Sequence, residues 1–425
     1  MQRRVLAAVI SLSALFAFSA SDAHAFKERS AKRSDLEIQA DEIADLKKEI
    51  EEIKRRARED EGLSGYDQGF FVKSRDDNYS FKLRFFAQLF YEYDAINDSP
   101  DVNTFGIRRA RLLFSGNVFN PNLTYMVMSE LVSQYNVPIA MTQYTVVDSA
   151  GNISSFSVTD TTDRNFRILY LWAQYKFCDE FQIRGGEFIP PTEFFFRASN
   201  LLLFEDFPSI ATTEPFTPNF QTGIDLLGTI AGKLDYEAFA VNGSNLDQQN
   251  INKAFRVGLS LTYNALGKPG LGVSDVDYSE SPQLAFTLAG AYEHPDRTIP
   301  APVNFNPGDN VYRGQSNIVL RYRGFSFVPE VIVIYNNTRH YRHWAFAGQM
   351  GYFIVPRHFE LAAGATYLKY AGPRNDRAEY SGGFNYYFYG QQVKFQLDYS
   401  YLNNKRPTDT QTDHRVRAGV QVGFF

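Results

Sequence analysis

From Phe70 to Phe425 the chain is built of short segments in which apolar and polar residues alternate, and this period of two constrains the fold more than any other feature. Successive side chains of a strand point to opposite faces, so each segment carries one apolar and one polar face. Val393, Phe395, Leu397, Tyr399 and Tyr401 share a face opposite Lys394, Gln396, Asp398 and Ser400. Leu284, Phe286, Leu288, Gly290 and Tyr292 form a second such face, and Val257, Leu259, Leu261 and Tyr263 a third. The last segment runs from His414 to Phe425 and closes on an aromatic residue, although Phe425 is out of phase with Val416, Ala418, Val420, Val422 and Phe424.

No stretch after residue 25 approaches the roughly 20 consecutive apolar residues of a spanning helix. Strands with one apolar face have a different solvent available. In a closed barrel one face meets lipid and the other a water-filled lumen. The aromatic share of 16%, with 38 Phe and 26 Tyr, suits the girdles of such a barrel. About sixteen candidate strands can be counted between residues 81 and 425. The expected fold is therefore all-β: a sixteen-stranded antiparallel transmembrane β-barrel spanning 70–425, preceded by an N-terminal coiled-coil helix.

The connections alternate in length. Asn120-Pro121, Cys178-Asp179, Gly324 and Tyr389-Gly390 are tight, whereas 94–104, 132–164, 188–221, 243–253 and 294–314 are long. Short periplasmic turns and longer external loops follow this pattern. The connection 265–282 breaks it, being long where a short turn is expected. A sixteen-stranded barrel leaves an aqueous channel, so something must narrow it. The third long loop, 188–221, carries Pro190-Pro191, Phe194-Phe195-Phe196-Arg197 and Leu201-Leu202-Leu203-Phe204. Such an apolar loop is expected to fold against the inner wall or against a neighbouring subunit.

Residues 1–25 read as a signal peptide, with Arg3 and Arg4 before an apolar core and Ala23-His24-Ala25 as the cleavage box. Residues 26–61 read as a periplasmic coiled coil. Ser34 and Glu37 form a capping box, and Leu36, Ile43, Ile50 and Ala57 recur at a, with Gln39, Leu46 and Ile53 at d. Residues 62–69 read as a linker. The single cysteine, Cys178, excludes an internal disulfide. There is no H-E-x-x-H, P-loop or G-x-S-x-G motif, so no metal, cofactor or catalytic residue is expected, nor a nucleic-acid partner.

If the apolar faces meet lipid, Lys82, Arg84, Arg256, Arg321, Arg323, Lys394, Arg415 and Arg417 face the lumen. Arg109 and Arg111 share a face, with Arg108 on the other, and Arg197 sits in the inward-folding loop. These eleven are the pore-lining candidates, Arg108 excluded. They attract anions if free. They do so less if paired with wall carboxylates such as Glu187, Asp235, Glu360 and Asp398.

Four stretches resemble the phosphate-selective porin O and P family. They are Gly69-Phe70-Phe71-Val72-Lys73-Ser74, Phe105-Gly106-Ile107-Arg108-Arg109-Ala110-Arg111-Leu112, Ile183-Arg184-Gly185-Gly186-Glu187-Phe188-Ile189-Pro190-Pro191 and Tyr236-Glu237-Ala238-Phe239-Ala240-Val241-Asn242-Gly243. All lie in the first half of the barrel, and no lysine constriction cluster aligns residue by residue. The resemblance implies a homotrimer in the outer membrane of a Gram-negative bacterium, in contact with lipid. It further implies passive diffusion of small anionic solutes such as phosphate, and a third loop folded into the pore. The readings that compete with it are a structural outer-membrane tether and a barrel-embedded hydrolase.

Overall fold

The computed structural model describes residues 43–52, 63–96, 101–132, 141–147, 153–159, 167–198, 201–204, 216–217, 219–243, 255–295, 308–371, 376–405 and 410–424. Residues 1–62 and 63–425 form separate compact units. The described part of the first is a helix over 43–52, with Ile43, Leu46 and Ile50 exposed. The signal peptide, the capping box and Phe425 lie outside the described residues, as do Gln39, Ile53 and Ala57 of the heptads. Among the described residues no helix is long and apolar enough to cross a membrane.

The second unit is a closed barrel of sixteen antiparallel strands. In chain order these begin β3 (Ser80–Ile96), β4 (Val102–Asn117), β5 (Leu123–Glu130), β8 (Arg167–Lys176), β9 (Gln182–Phe188), β10 (Gln221–Ile230), β11 (Leu234–Val241) and β12 (Arg256–Leu266). The second half is β13 (Gln283–Glu293), β14 (Val311–Tyr322), β15 (Phe325–Asn336), β16 (Tyr341–Val355), β17 (Phe359–Lys369), β18 (Asp376–Tyr389), β19 (Val393–Lys405) and β20 (Thr410–Phe424). Each pairs with its neighbour in order, and β20 closes on β3 from Asp413↔Ile96 to Phe424↔Phe85. Closure leaves no unpaired sheet edge in the wall, which a lipid environment requires. All sixteen wall strands fall where the alternation placed them.

Two short hairpins were not legible. β1 (Ser64–Tyr66) lies in the stretch read as a linker and pairs with β2 (Phe70–Lys73). β2 then pairs with Ser80–Leu83, taking over the edge of β3 beyond the end of β20. β6 (Met141–Val147) and β7 (Ile153–Thr159) form a separate two-stranded sheet within the second long loop.

The wall obeys the period of two. Along β19, Lys394, Gln396, Asp398 and Ser400 are buried on the inside, while Phe395, Leu397 and Tyr399 face out. Outward apolar residues stay exposed in the isolated chain, Leu288 at 65% and Ile224 at 59%. Outward aromatics pair near both rims: Phe177 with Phe181 and Tyr386 with Phe388 at the short-turn rim, Tyr91 with Phe105 and Tyr292 with Tyr312 toward the other. These are the two belts that flank a hydrocarbon band.

One sector departs from this scheme. Val328, Ile332 and Ile334 of β15 point inward and are fully buried, as do Val311 and Val319 of β14 and Ala345 and Ala347 of β16. Against them lies the loop between β9 and β10, with Phe194, Phe195, Phe196, Leu202, Leu203 and Phe204 all buried in one apolar cluster. Of the two expected placements for this loop, the inner wall of its own barrel is the one realised. Removing a Phe or Leu side chain from lumen water is worth about 1.5–3 kcal/mol, so the lumen's own water drives the loop onto the wall.

The connection 265–282 turns inward as well. Val273 is fully buried in the same cluster and Leu271 packs against it. Asp275 is buried, accepting from the Ser279 hydroxyl at 2.6 Å and the Gly324 backbone N–H at 2.7 Å. Its unusual length thus serves a second inward fold, beside the short-turn rim.

Candidate functional site

The two inward folds fill one side of the lumen. Among the described residues a cavity of about 1010 Å³ runs along β3, β4, β5, β8 and β9. It reaches from Val132 and Arg167 near the long-loop rim to Gln68 and the Tyr389–Gln392 turn at the short-turn rim. Seven arginines line it: Arg84, Arg108, Arg109, Arg111, Arg167, Arg184 and Arg197. Among its lining residues only Glu130 and Asp277 are acidic.

Strand register explains how the arginines converge. Phe86, Arg111, Glu130 and Arg167 form one inward row across β3, β4, β5 and β8. Arg111 donates to Glu130 at 2.6 Å, and its guanidinium lies 5.7 Å from the Phe86 ring. Arg109 donates to Gln88 at 2.5 Å. Arg108 was assigned to the lipid face by simple alternation, and this needs correction. The register skips between Gln88↔Arg109 and Leu89↔Ile107, leaving Arg108 as the extra residue of a bulge. A bulge re-aims its side chain, and Arg108 joins the cavity lining.

Arg184 sits on β9 before Gly185 and Gly186, where alternation carries no signal. Gly186 has φ +132°, and a Cβ there would lie 2.1 Å from the Leu171 carbonyl oxygen of β8, so only glycine fits this approach. Arg184 pairs with Asp225 and, at 3.0 Å, with Glu237. Arg197, on the helical turn Phe194–Arg197, pairs with the other oxygen of Glu237 at 3.0 Å. The two arginines are thereby held side by side at the cavity edge. Arg84 forms no ion pair among the described residues, and its buried Nε has no partner.

The remaining candidates lie elsewhere; all but Arg323, which the alternation placed in the lumen, hold the wall or the inward folds. Lys394 is 1% exposed and donates to the Leu202 carbonyl at 3.0 Å, pinning the loop. Arg321 donates to the carbonyls of Pro269 and Ser274, pinning the inward connection. Arg256 pairs with Glu293 at 2.9 Å, and Arg417 with Asp398 at 2.6 Å. Arg415 bonds Asp94 at 2.5 Å, and Lys82 bonds Asp67 at 3.1 Å. Arg323 occupies the exposed β14–β15 turn with φ 47°, its guanidinium 5.3 Å from the Tyr322 ring. Of the four named carboxylates, Asp398 stands in an arginine pair. Asp235 bonds Lys268 at 3.2 Å, and Glu360 bonds Tyr387 at 2.5 Å. Glu187 is buried at the end of β9.

Glu193 caps the helical turn, accepting from the Phe196 N–H. Glu330 of β15 reaches across to accept from the Phe194 N–H at 2.6 Å. Burial, and next the neighbouring Glu330 carboxyl, push the Glu193 carboxyl well above the usual carboxylate range.

No family model and no curated protein matches the chain. Solved structures do match. An anion-selective porin from Comamonas acidovorans is 11% identical with a TM-score of 0.53, covering 81% of this chain and 100% of that one. OprB of Pseudomonas putida is 10% identical with a TM-score of 0.53, covering 82% and 95%. The outer-membrane channel DcaP of Acinetobacter baumannii is 10% identical with a TM-score of 0.52, covering 83% and 99%. At such identities the likeness is one of fold, and the fold is that of outer-membrane porins and channels.

Proposed function

We propose that this protein is an outer-membrane porin of a Gram-negative bacterium, through which small hydrophilic anions, phosphate among them, diffuse passively. The observation that carries this reading is the cavity that runs from rim to rim with seven arginines and two acidic residues in its lining. Guanidinium groups in a narrow, partly desolvated passage raise the local anion concentration and repel cations. No step of chemistry is needed; flux follows the gradient. Short turns set the rim with Phe424 in the periplasm, and residues 26–61 are a periplasmic segment. Three chains form the working unit, and the exposed Ile43, Leu46 and Ile50 are the stripe a trimeric coiled coil buries.

Reversal potential in a planar bilayer under a potassium chloride gradient tests the pore. A value on the chloride side supports the reading, and cation preference overturns it. Deleting residues 34–61 tests the coiled coil: trimers that dissociate at lower temperature support it, and unchanged trimers refute it.

A further inference from the structure

A lumen built only for hydrophilic ions has no use for an apolar surface, which water covers at a cost. The open cavity nevertheless has one. Arg84, Leu113, Met128 and Tyr170 stand in one register row across β3, β4, β5 and β8, and the next row places Met126 beside Trp172. Leu113, Met126, Met128 and Trp172 thus form a contiguous patch two strand-rows deep, all lining the cavity. The inward loop reaches one edge of this patch, where Met128 is buried and Leu113 and Tyr170 pack against the loop's cluster, while Met126 and Trp172 stay half-buried along the cavity.

Arginines frame the patch. Arg84 flanks it on β3, with its buried Nε unsatisfied by protein. Arg111 and Arg167 lie one row beyond, and the Arg184 guanidinium lies 5.8 Å from the Trp172 ring. A guanidinium in low-dielectric surroundings offers a paired fork to a planar carboxylate. The adjoining patch takes an apolar body out of water, and methionine adapts to its shape. Chloride and phosphate gain the first contact and leave the patch wet.

We infer that the preferred solute of this channel is an organic carboxylate with an apolar or aromatic body, its carboxylate at Arg84 and its body on Leu113, Met126, Met128 and Trp172. This inference rests on the anion-porin reading and narrows its substrate class. The cavity volume of about 1010 Å³ accommodates such a molecule.

Block of chloride current by benzoate, acetate and phosphate, in full-length protein in planar bilayers, tests it. Benzoate is expected to half-block at a concentration about tenfold or more below acetate, the two differing only in the apolar body. Trp172→Ala should shrink the benzoate-to-acetate ratio by roughly five- to tenfold. Arg84→Gln should weaken block by both and leave the ratio in place. Met126→Ser repeats the ratio test should Trp172→Ala fail to assemble. Equal block by benzoate and acetate, or stronger block by phosphate, in a channel that still selects anions overturns this inference alone. A wild-type channel without anion preference overturns the porin reading beneath it.

Discussion

Two sectors of the same wall face the lumen in opposite ways. Along β14 to β16 the inward side chains include Val311, Val319, Val328, Ile332 and Ile334, which the loop seals from water, with Arg313 and Glu330 among them bonding the loop's backbone. Along β3, β4, β5 and β8 the inward side chains include Arg84, Arg109, Arg111 and Arg167, and they line the cavity. The strands are alike in period and pairing, so the backbone does not set the difference. What sets it is which inward positions water can afford to solvate. The apolar sector attracts the loop, and the position of the loop assigns the pore to the other sector.

The comparison breaks most completely if the seal is opened. Phe195→Ala removes a fully buried ring from the cluster and should cost about 3–5 kcal/mol of loop docking. Single-channel conductance should rise and anion preference fall, as the two sectors become equally wet. Unchanged conductance would show that the loop does not narrow the pore.

Acting on the open sector instead, Arg84→Glu combined with Arg109→Glu should move the reversal potential toward the cation side. Conductance should change little, because the cavity keeps its width. The same reversal at exposed Arg323, which lies in a turn, should leave selectivity untouched.

A smaller effect is expected where the sectors meet. Lys394→Met removes the charged one of two donors to the Leu202 carbonyl, Gln396 remaining at 3.2 Å, a loss of about 1.5–3 kcal/mol. Limited proteolysis should cut the 189–220 loop sooner than in wild type, with the barrel intact.

The smallest effect is one of pH. The docked loop holds Glu193 with its carboxyl raised, so the docked state binds that proton more tightly than the released state. Docking is then strongest below the ordinary carboxylate value of about 4.3 and weakens as pH rises through the raised range. Glu330, Gln315 and the backbone N–H groups of Phe194 and Phe196 surround the group. Conductance should become noisier from acid to alkaline pH, and Glu193→Gln should flatten that dependence. A dependence that survives the substitution would assign it to another group.

Much of the wall was legible because strand period and burial coincide wherever one face meets lipid and the other water. The inward positions of Arg84, Arg111, Lys394 and Arg417 follow from it. Arg108 did not, since a bulge displaces the period by one residue without any mark in the local sequence. Arg184 was hidden by two following glycines, and Arg167 by the bulge at Leu169, where Met128↔Tyr170 is followed by Ser129↔Ile168. One signal was present and unread. Apart from Glu330, the run Phe327-Val328-Pro329-Glu330-Val331-Ile332-Val333-Ile334 is apolar at both parities, as befits a strand covered on both faces.

Alternation alone dictates the solvent of the fold and the number of its strands, because it is a local property and each strand must satisfy lipid and water independently. The local sequence also marks the 188–221 loop as too apolar for open water. Where that loop lies, which cations pin it and which remain along the passage follow from long-range packing. Those outcomes depend on residues far apart in the chain, Lys394 with Leu202 and Arg313 with Phe216, and on register shifts that exist only between paired strands.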